Sequence, residues 1–148
     1  MLTISRRYDL EVAHHLTAGV PDGHKCRRLH GHRYELTIWV GGPFGHHGML
    51  VEYADLDRVV MPVLKLLDHH DANSLSERCS TSEAEWVSAN PTVEYLALWL
   101  AARLVGIVAS AVPDRKLRLE RLRLQEDAQS AAEWSLATAE PQKGGDRG

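Results

Sequence analysis

Two histidines, His30 and His32, flank Gly31. On a strand, side chains alternate, so both imidazoles leave the same face and their ring nitrogens can converge on one small ion. An earlier stretch, residues 2–15, alternates as well. Ile4, Tyr8, Leu10 and Val12 share the apolar parity, and His14 continues it. Three inward imidazoles with no carboxylate or thiolate ligand suit a catalytic zinc with an open fourth position. A histidine pair at i, i+2 is a weak motif alone. The third histidine on a matching parity lifts it above the bland reading of three satisfied core side chains. Of the remaining histidines, His46 and His47 lie between glycines at an expected hairpin tip and read as solvated. His15 faces outward, and His24 either borders the site or is a loop residue.

Other reactive types gather around this trio. Cys26 lies in His24-Lys25-Cys26-Arg27-Arg28, where cationic neighbours favour a thiolate that can act as base or nucleophile. Cys79, in a polar stretch, reads as incidental. Asp68-His69 ends an apolar periodic segment. The pair has catalytic meaning only if His69 reaches the reacting group with Asp68 fixing its tautomer. Glu126 shares the parity of Leu122 and Leu124, so it points inward, and a buried carboxylate needs a partner. That partner is either an arginine from the 118–123 region or the paired N–H donors of a pterin-like or guanine-like ring edge.

These residues need elements to hold them. Strands are expected over 2–15, 29–40 and 49–53. A helix follows, carried by Leu56, Val59, Val60, Val63, Leu64 and Leu67 and interrupted by Pro62. Residues 71–90 read as a surface loop, and Asn90-Pro91 as the N-cap and first position of a second helix. Leu117 and Leu119 disagree in parity with Leu122 and Leu124, which calls for a bulge near Glu120–Arg121. A strand around 132–136 closes the order β-β-β-α-α-β-β, an α+β domain with an antiparallel sheet and two helices on one face. The expected domain spans 1–138, followed by a disordered tail, 139–148.

The chain has 148 residues, enough for one adequate core, and a net charge of −3. That balance argues against a nucleic-acid-binding face. No apolar run reaches the length of a membrane span, and the N-terminus lacks a signal-peptide stretch. Two cysteines make no disulfide framework. A cytoplasmic protein is the simplest expectation.

The residues also collect into a known pattern. Glu11-Val12-Ala13-His14-His15-Leu16 and Val20-Pro21-Asp22-Gly23-His24-Lys25-Cys26-Arg27-Arg28-Leu29-His30-Gly31-His32 resemble the 6-pyruvoyl-tetrahydropterin synthase superfamily. Gly48 to Tyr53, Leu67-Asp68-His69-His70, Pro91-Thr92-Val93-Glu94 and Glu126 agree, in order. The spacing of Cys26 four residues before His30 favours the branch that makes 6-carboxytetrahydropterin in queuosine and deazapurine pathways. The resemblance implies a tunnelling fold whose subunits assemble into a barrel, as a hexamer or tetramer, with active sites between subunits. It implies zinc on His14, His30 and His32, a catalytic thiol at Cys26, and a proton relay through Asp68 and His69. Glu126 would anchor the pterin ring, and the substrate would be 7,8-dihydroneopterin triphosphate. Read from charge alone, and not from the resemblance, Lys25, Arg27 or Arg28 would meet the triphosphate. A pyruvoyl synthase and a zinc-dependent pterin-binding module without turnover are the competing expectations. The sequence departs from the family pattern at Leu10, Glu52-Tyr53, Ala72-Asn73, the long 74–90 segment and Asp127.

Overall fold

Alternation of apolar and polar residues builds the two long strands at the centre of the molecule. In the computed structural model, which describes residues 2–136, β1 is Thr3–His14 and β2 is His30–Gly41. Tyr8, Leu10, Val12 and His14 are buried on one face of β1, and Tyr34, Leu36, Ile38 and Val40 on the same face of β2. The opposite face carries Arg7, Asp9, Arg33 and Glu35, linked by ion pairs along β1 and across to β2. β1 and β2 pair antiparallel, with His14 directly opposite His30 and Val12 opposite His32.

Helix α1 is Tyr53–Leu64, β3 is the two-residue strand His70–Asp71, α2 is Ser82–Ala89, and α3 is Val93–Ala109. β4 (Arg118–Gln125) and β5 (Ala131–Ser135) complete an open five-stranded sheet in the order β3-β1-β2-β4-β5. The expected tail, 139–148, and the last residues of the expected 1–138 domain lie outside the described residues. Leu56, Val60 and Val63 of α1 and Trp99, Leu100, Leu104 and Val108 of α3 share one apolar core with the strands. Among the described residues no helix is long and apolar enough to cross a membrane.

The expected bulge is present. Trp39 pairs with Arg121 and Val40 with Leu119, so Glu120 is the extra residue and the two leucine parities are reconciled. Other expectations are corrected. Residues 49–52 form no strand. Leu50 and Val51 are both buried, so consecutive side chains point inward and alternation is impossible; the segment instead leads into α1 at Tyr53. The 71–90 stretch is not a plain loop. It holds β3, a 3-10 turn at Ala72–Glu77, and α2, capped by the Thr81 hydroxyl accepting from the Ala84 amide at 3.2 Å. β3 runs parallel to β1, so the sheet is mixed rather than antiparallel, and among the described residues three α-helices replace the expected two. The helix after Pro91 is capped by Thr92, whose hydroxyl accepts from the Tyr95 amide, and not by Asn90.

Tyr34 lies at the boundary between core and site. It is 1% exposed, and burial holds its phenol protonated well beyond the ordinary tyrosine range. Its hydroxyl has no hydrogen-bond partner among the described residues. An unsatisfied buried polar group costs about 1–3 kcal/mol. Tyr34→Phe is therefore expected to leave the melting temperature unchanged or raise it. A clear fall would mean that the hydroxyl has a bonded partner, such as a bound water.

Candidate metal centre and substrate site

The register of β1 and β2 brings the three histidines together. Ring centroids of His14 and His30 are 4.5 Å apart, and His32 is 5.0 Å from each. The rings stand steeply to one another, at 61° to 85°, so they converge by their edges. One potential ligand atom from each lies within 4.8 Å of the others.

The tautomers follow from the outer contacts. His14 Nδ1 lies 2.7 Å from the Pro91 carbonyl, and His30 Nδ1 lies 2.7 Å from the Arg28 carbonyl. A carbonyl only accepts, so both Nδ1 atoms carry the hydrogen and donate it. Both Nε2 atoms are then bare in the neutral rings, yet they face each other at 3.0 Å. Two opposed lone pairs at that distance repel unless a cation or a proton sits with them. His32 Nε2 is buried 3.0 Å from Glu126 Oε1 and has no hydrogen-bond partner among the described residues. Burial also pushes the His14 pKa below its ordinary value, which outweighs the Pro91 hydrogen bond and keeps the ring neutral. Neutral imidazoles oriented by carbonyls through their second nitrogen are what a divalent metal requires. The donor set therefore fits a metal ion.

Glu126 follows β4 and is turned inward by the β4–β5 connection, where its amide donates to the Ser130 carbonyl at 2.9 Å. Its carboxylate is half-buried, 3.0 Å from His32 Nε2 and 3.8 Å from His14 Nε2. Burial raises its pKa, against the pull of His32 and with the push of Asp127 and Glu94. Of the two partners considered for it, the arginine reading is the weaker. Arg118 pairs with Glu120, and Arg121 and Arg123 pair with Glu133. Asp127 serves the turn, accepting from the Gln129 amide at 2.8 Å.

Cys26 sits in a 3-10 turn, Lys25–Arg27, within the long β1–β2 connection. Its carbonyl accepts from the Leu16 amide at 2.8 Å, and its amide donates to His24 Nδ1 at 3.1 Å. His24 thus shapes the turn. Cys26 lines a cavity of about 500 Å³ with Lys25, Arg28, His30, His32 and Glu126. It also lines a smaller one of about 250 Å³ with His14, Thr92, Glu94 and Glu126. Arg27 is committed elsewhere: its guanidinium donates to the Thr17, Val20 and Pro21 carbonyls and orders the loop. Of the three cations considered for an anionic group, Lys25 and Arg28 face the larger cavity.

Asp68 and His69 lie on the other side of β1. Asp68 Oδ2 is 3.0 Å from His69 Nδ1, and Asp68 Oδ1 accepts from the Glu11 amide at 2.9 Å. Burial pushes the Asp68 pKa up, but the Glu11 amide and His69 prevail and hold it below the ordinary value. His69 adopts φ 59°, a left-handed conformation that is strained for a non-glycine residue, held by its amide donating to the Glu11 carbonyl at 2.7 Å. His69 borders a third cavity of about 520 Å³, which it lines with Glu11, Gly31, His32 and Arg33. His32 borders both this cavity and the larger one at Cys26, but Glu11, Gly31 and Arg33 alternate onto the exposed face of the strands, and among the described residues no contact brings His69 to Cys26. Sequence reasoning had no signal for the roles of Pro91 and Asn73. One is a carbonyl, and the other a carboxamide in a stretch read as a loop.

The α+β fold thus presents three histidines arranged so that they could hold a metal ion, with a carboxylate and a thiol on the walls of the adjoining cavities. The chain belongs to the 6-pyruvoyl tetrahydropterin synthase family, whose model matches residues 3–136. It is similar to a putative 6-carboxy-5,6,7,8-tetrahydropterin synthase of Pyrococcus abyssi, 30% identical over 80% of each chain. The 6-carboxy-5,6,7,8-tetrahydropterin synthase of Haemophilus influenzae is 28% identical over 90% of this chain and 99% of its own length. A dihydroneopterin monophosphate aldolase of Pyrococcus furiosus is 31% identical over 62% of this chain and 68% of its own. The fold matches that of Caenorhabditis elegans 6-pyruvoyl tetrahydropterin synthase with a TM-score of 0.70 at 19% identity, over 90% of this chain and 94% of the other.

Proposed function

We propose that this chain is a zinc-dependent 6-carboxy-5,6,7,8-tetrahydropterin synthase. It converts 7,8-dihydroneopterin triphosphate to 6-carboxytetrahydropterin, acetaldehyde and triphosphate, as a cytoplasmic homo-oligomer that supplies a deazapurine pathway such as that to queuosine. The observation that carries this reading is the pair of bare Nε2 atoms of His14 and His30 at 3.0 Å, beside His32, with Glu126 and Cys26 lining the same space. Family membership and the names of the Pyrococcus abyssi and Haemophilus influenzae relatives support it.

His14, His30 and His32 hold the metal. When bound, zinc supplies Lewis acidity that makes the hydroxyls of the substrate side chain easier to deprotonate. Glu126 accepts two N–H donors from the pterin edge and so fixes the ring. Cys26 moves a proton at the side-chain carbon next to the ring. His69, oriented by Asp68, handles protons on the opposite side. Lys25 and Arg28 meet the triphosphate. A second subunit closes the open sides of the cavities, in a barrel-forming hexamer or tetramer.

Product analysis tests the proposal. Metal-loaded protein given 7,8-dihydroneopterin triphosphate is expected to release acetaldehyde in step with triphosphate. Triphosphate without acetaldehyde would indicate the pyruvoyl synthase instead. Binding without any product would indicate a zinc-dependent pterin-binding module. Turnover of the monophosphate alone would align the chain with its aldolase relative.

Glu126→Gln is expected to weaken pterin binding by about 1.5–3 kcal/mol, the usual range for a hydrogen bond to a charged group. The amide turns one acceptor into a donor that faces a ring N–H. Metal content and melting temperature are expected to stay near wild type. Earlier melting with normal binding would make Glu126 a structural residue.

A further inference from the structure

Immediately after His14 the chain leaves β1, and two carboxamides from distant segments grip it. Asn73 Oδ1 accepts from the His15 amide at 2.9 Å, and Asn73 Nδ2 donates to the His15 carbonyl at 3.0 Å. Asn90 repeats the arrangement further on, accepting from the Thr17 amide at 3.0 Å and donating to the Ala18 carbonyl at 3.3 Å. A carboxamide offers an acceptor and a donor side by side, as a peptide group does. β3 pairs with β1 only at Val12–His70 and Ala13–Asp71 before its backbone turns into the Ala72–Glu77 3-10 segment. The Asn73 side chain therefore supplies the next rung of that ladder, opposite His15, where the main chain no longer can. Asn73 is itself fixed, since its amide donates to Asp71 Oδ1 at 2.9 Å.

The consequence falls on the neighbouring residue. His14 Nδ1 is tied to the Pro91 carbonyl, and Pro91 follows Asn90, whose side chain is bound to the same outgoing segment. Both the ring of His14 and the peptide that follows it are thus anchored to residues outside β1 and β2. Ligand atoms must meet a metal within a few tenths of an ångström.

We infer that Asn73 is a positioning residue for the three-histidine centre: its two-bond grip on His15 sets how the His14 imidazole meets those of His30 and His32. This rests on the reading of His14 as a metal ligand.

Cobalt(II) is the probe, with affinity measured by chelator competition and geometry by visible absorption. Wild type is compared with Asn73→Ala, Asn73→Asp and Leu104→Ala. Asn73→Asp keeps the acceptor for the His15 amide but sets an oxygen against the His15 carbonyl, so it remains informative where the alanine variant fails to fold. Leu104 is fully buried in α3, several turns beyond its start, and reports a purely structural loss. Both Asn73 variants are expected to bind cobalt about tenfold or more weakly, with an altered absorption band. Leu104→Ala is expected to melt earlier yet bind cobalt as wild type does. Wild-type affinity and spectrum in the Asn73 variants, or an equal loss in Leu104→Ala, would overturn the inference. A wild-type protein that binds no cobalt would instead overturn the metal-centre reading on which it rests.

Discussion

Replacing Cys26 with alanine is expected to cut turnover by about 10²–10⁴-fold, the usual contribution of a general acid or base. Metal content and melting temperature should change little. Cys26 is only partly buried, its turn is held by backbone contacts to Leu16 and by the Arg27 fork, and it lies outside the apolar core. Removing the sulfur therefore leaves no core cavity. Cys79→Ala makes the contrasting control. Cys79 is 8% exposed within the core, so its loss should lower the melting temperature while sparing turnover. Near wild-type turnover in Cys26→Ala would remove the thiol from the mechanism.

The double variant His30→Ala/His32→Ala is expected to lose its metal, from one per chain to none retained through dialysis. His14 alone then remains of the cluster, and one imidazole does not hold a divalent ion against water. Full metal occupancy in that variant, measured by elemental analysis, would contradict the site. Acid should act in the same direction on wild type, because the ligands must be deprotonated. The sign for His14 follows from its burial. Its folded pKa lies below the ordinary 6.5, so the unfolded chain binds the proton more readily. Its contribution to stability is present above about that pH and is lost as the pH falls through the folded value. Metal-free protein is thus expected to melt progressively earlier below that pH.

Strand parity made much of the centre legible in advance. Alternation on β1 and β2 gave the face of all three histidines, and conflicting leucine parities located the Glu120 bulge. Glu126 was readable by the same rule, as a carboxylate on a leucine face. Short or non-periodic elements were not legible. β3 has two residues, too few for any period, yet it makes the sheet mixed and sets up the Asn73 contact. Helix α2 carried a usable signal in Thr81 followed by Glu83 and Glu85, but its weak apolar stripe let it pass for loop. The Asn90-Pro91 pair looked like a helix start because the residue types fit one. In the fold the Asn90 side chain binds Thr17 and Ala18 and the Pro91 carbonyl binds His14, so capping falls to Thr92. That Cys26 and His69 line different cavities was beyond any spacing rule, since it depends on how the β1–β2 connection and the turn before β3 leave the sheet.

The most direct test is a titration of metal-stripped protein with zinc, following acetaldehyde release from 7,8-dihydroneopterin triphosphate. Turnover is expected to be absent at first, to rise linearly, and to level off at one zinc per chain. Undiminished turnover in the metal-stripped protein, or tight binding of one zinc per chain with no turnover, would contradict the account.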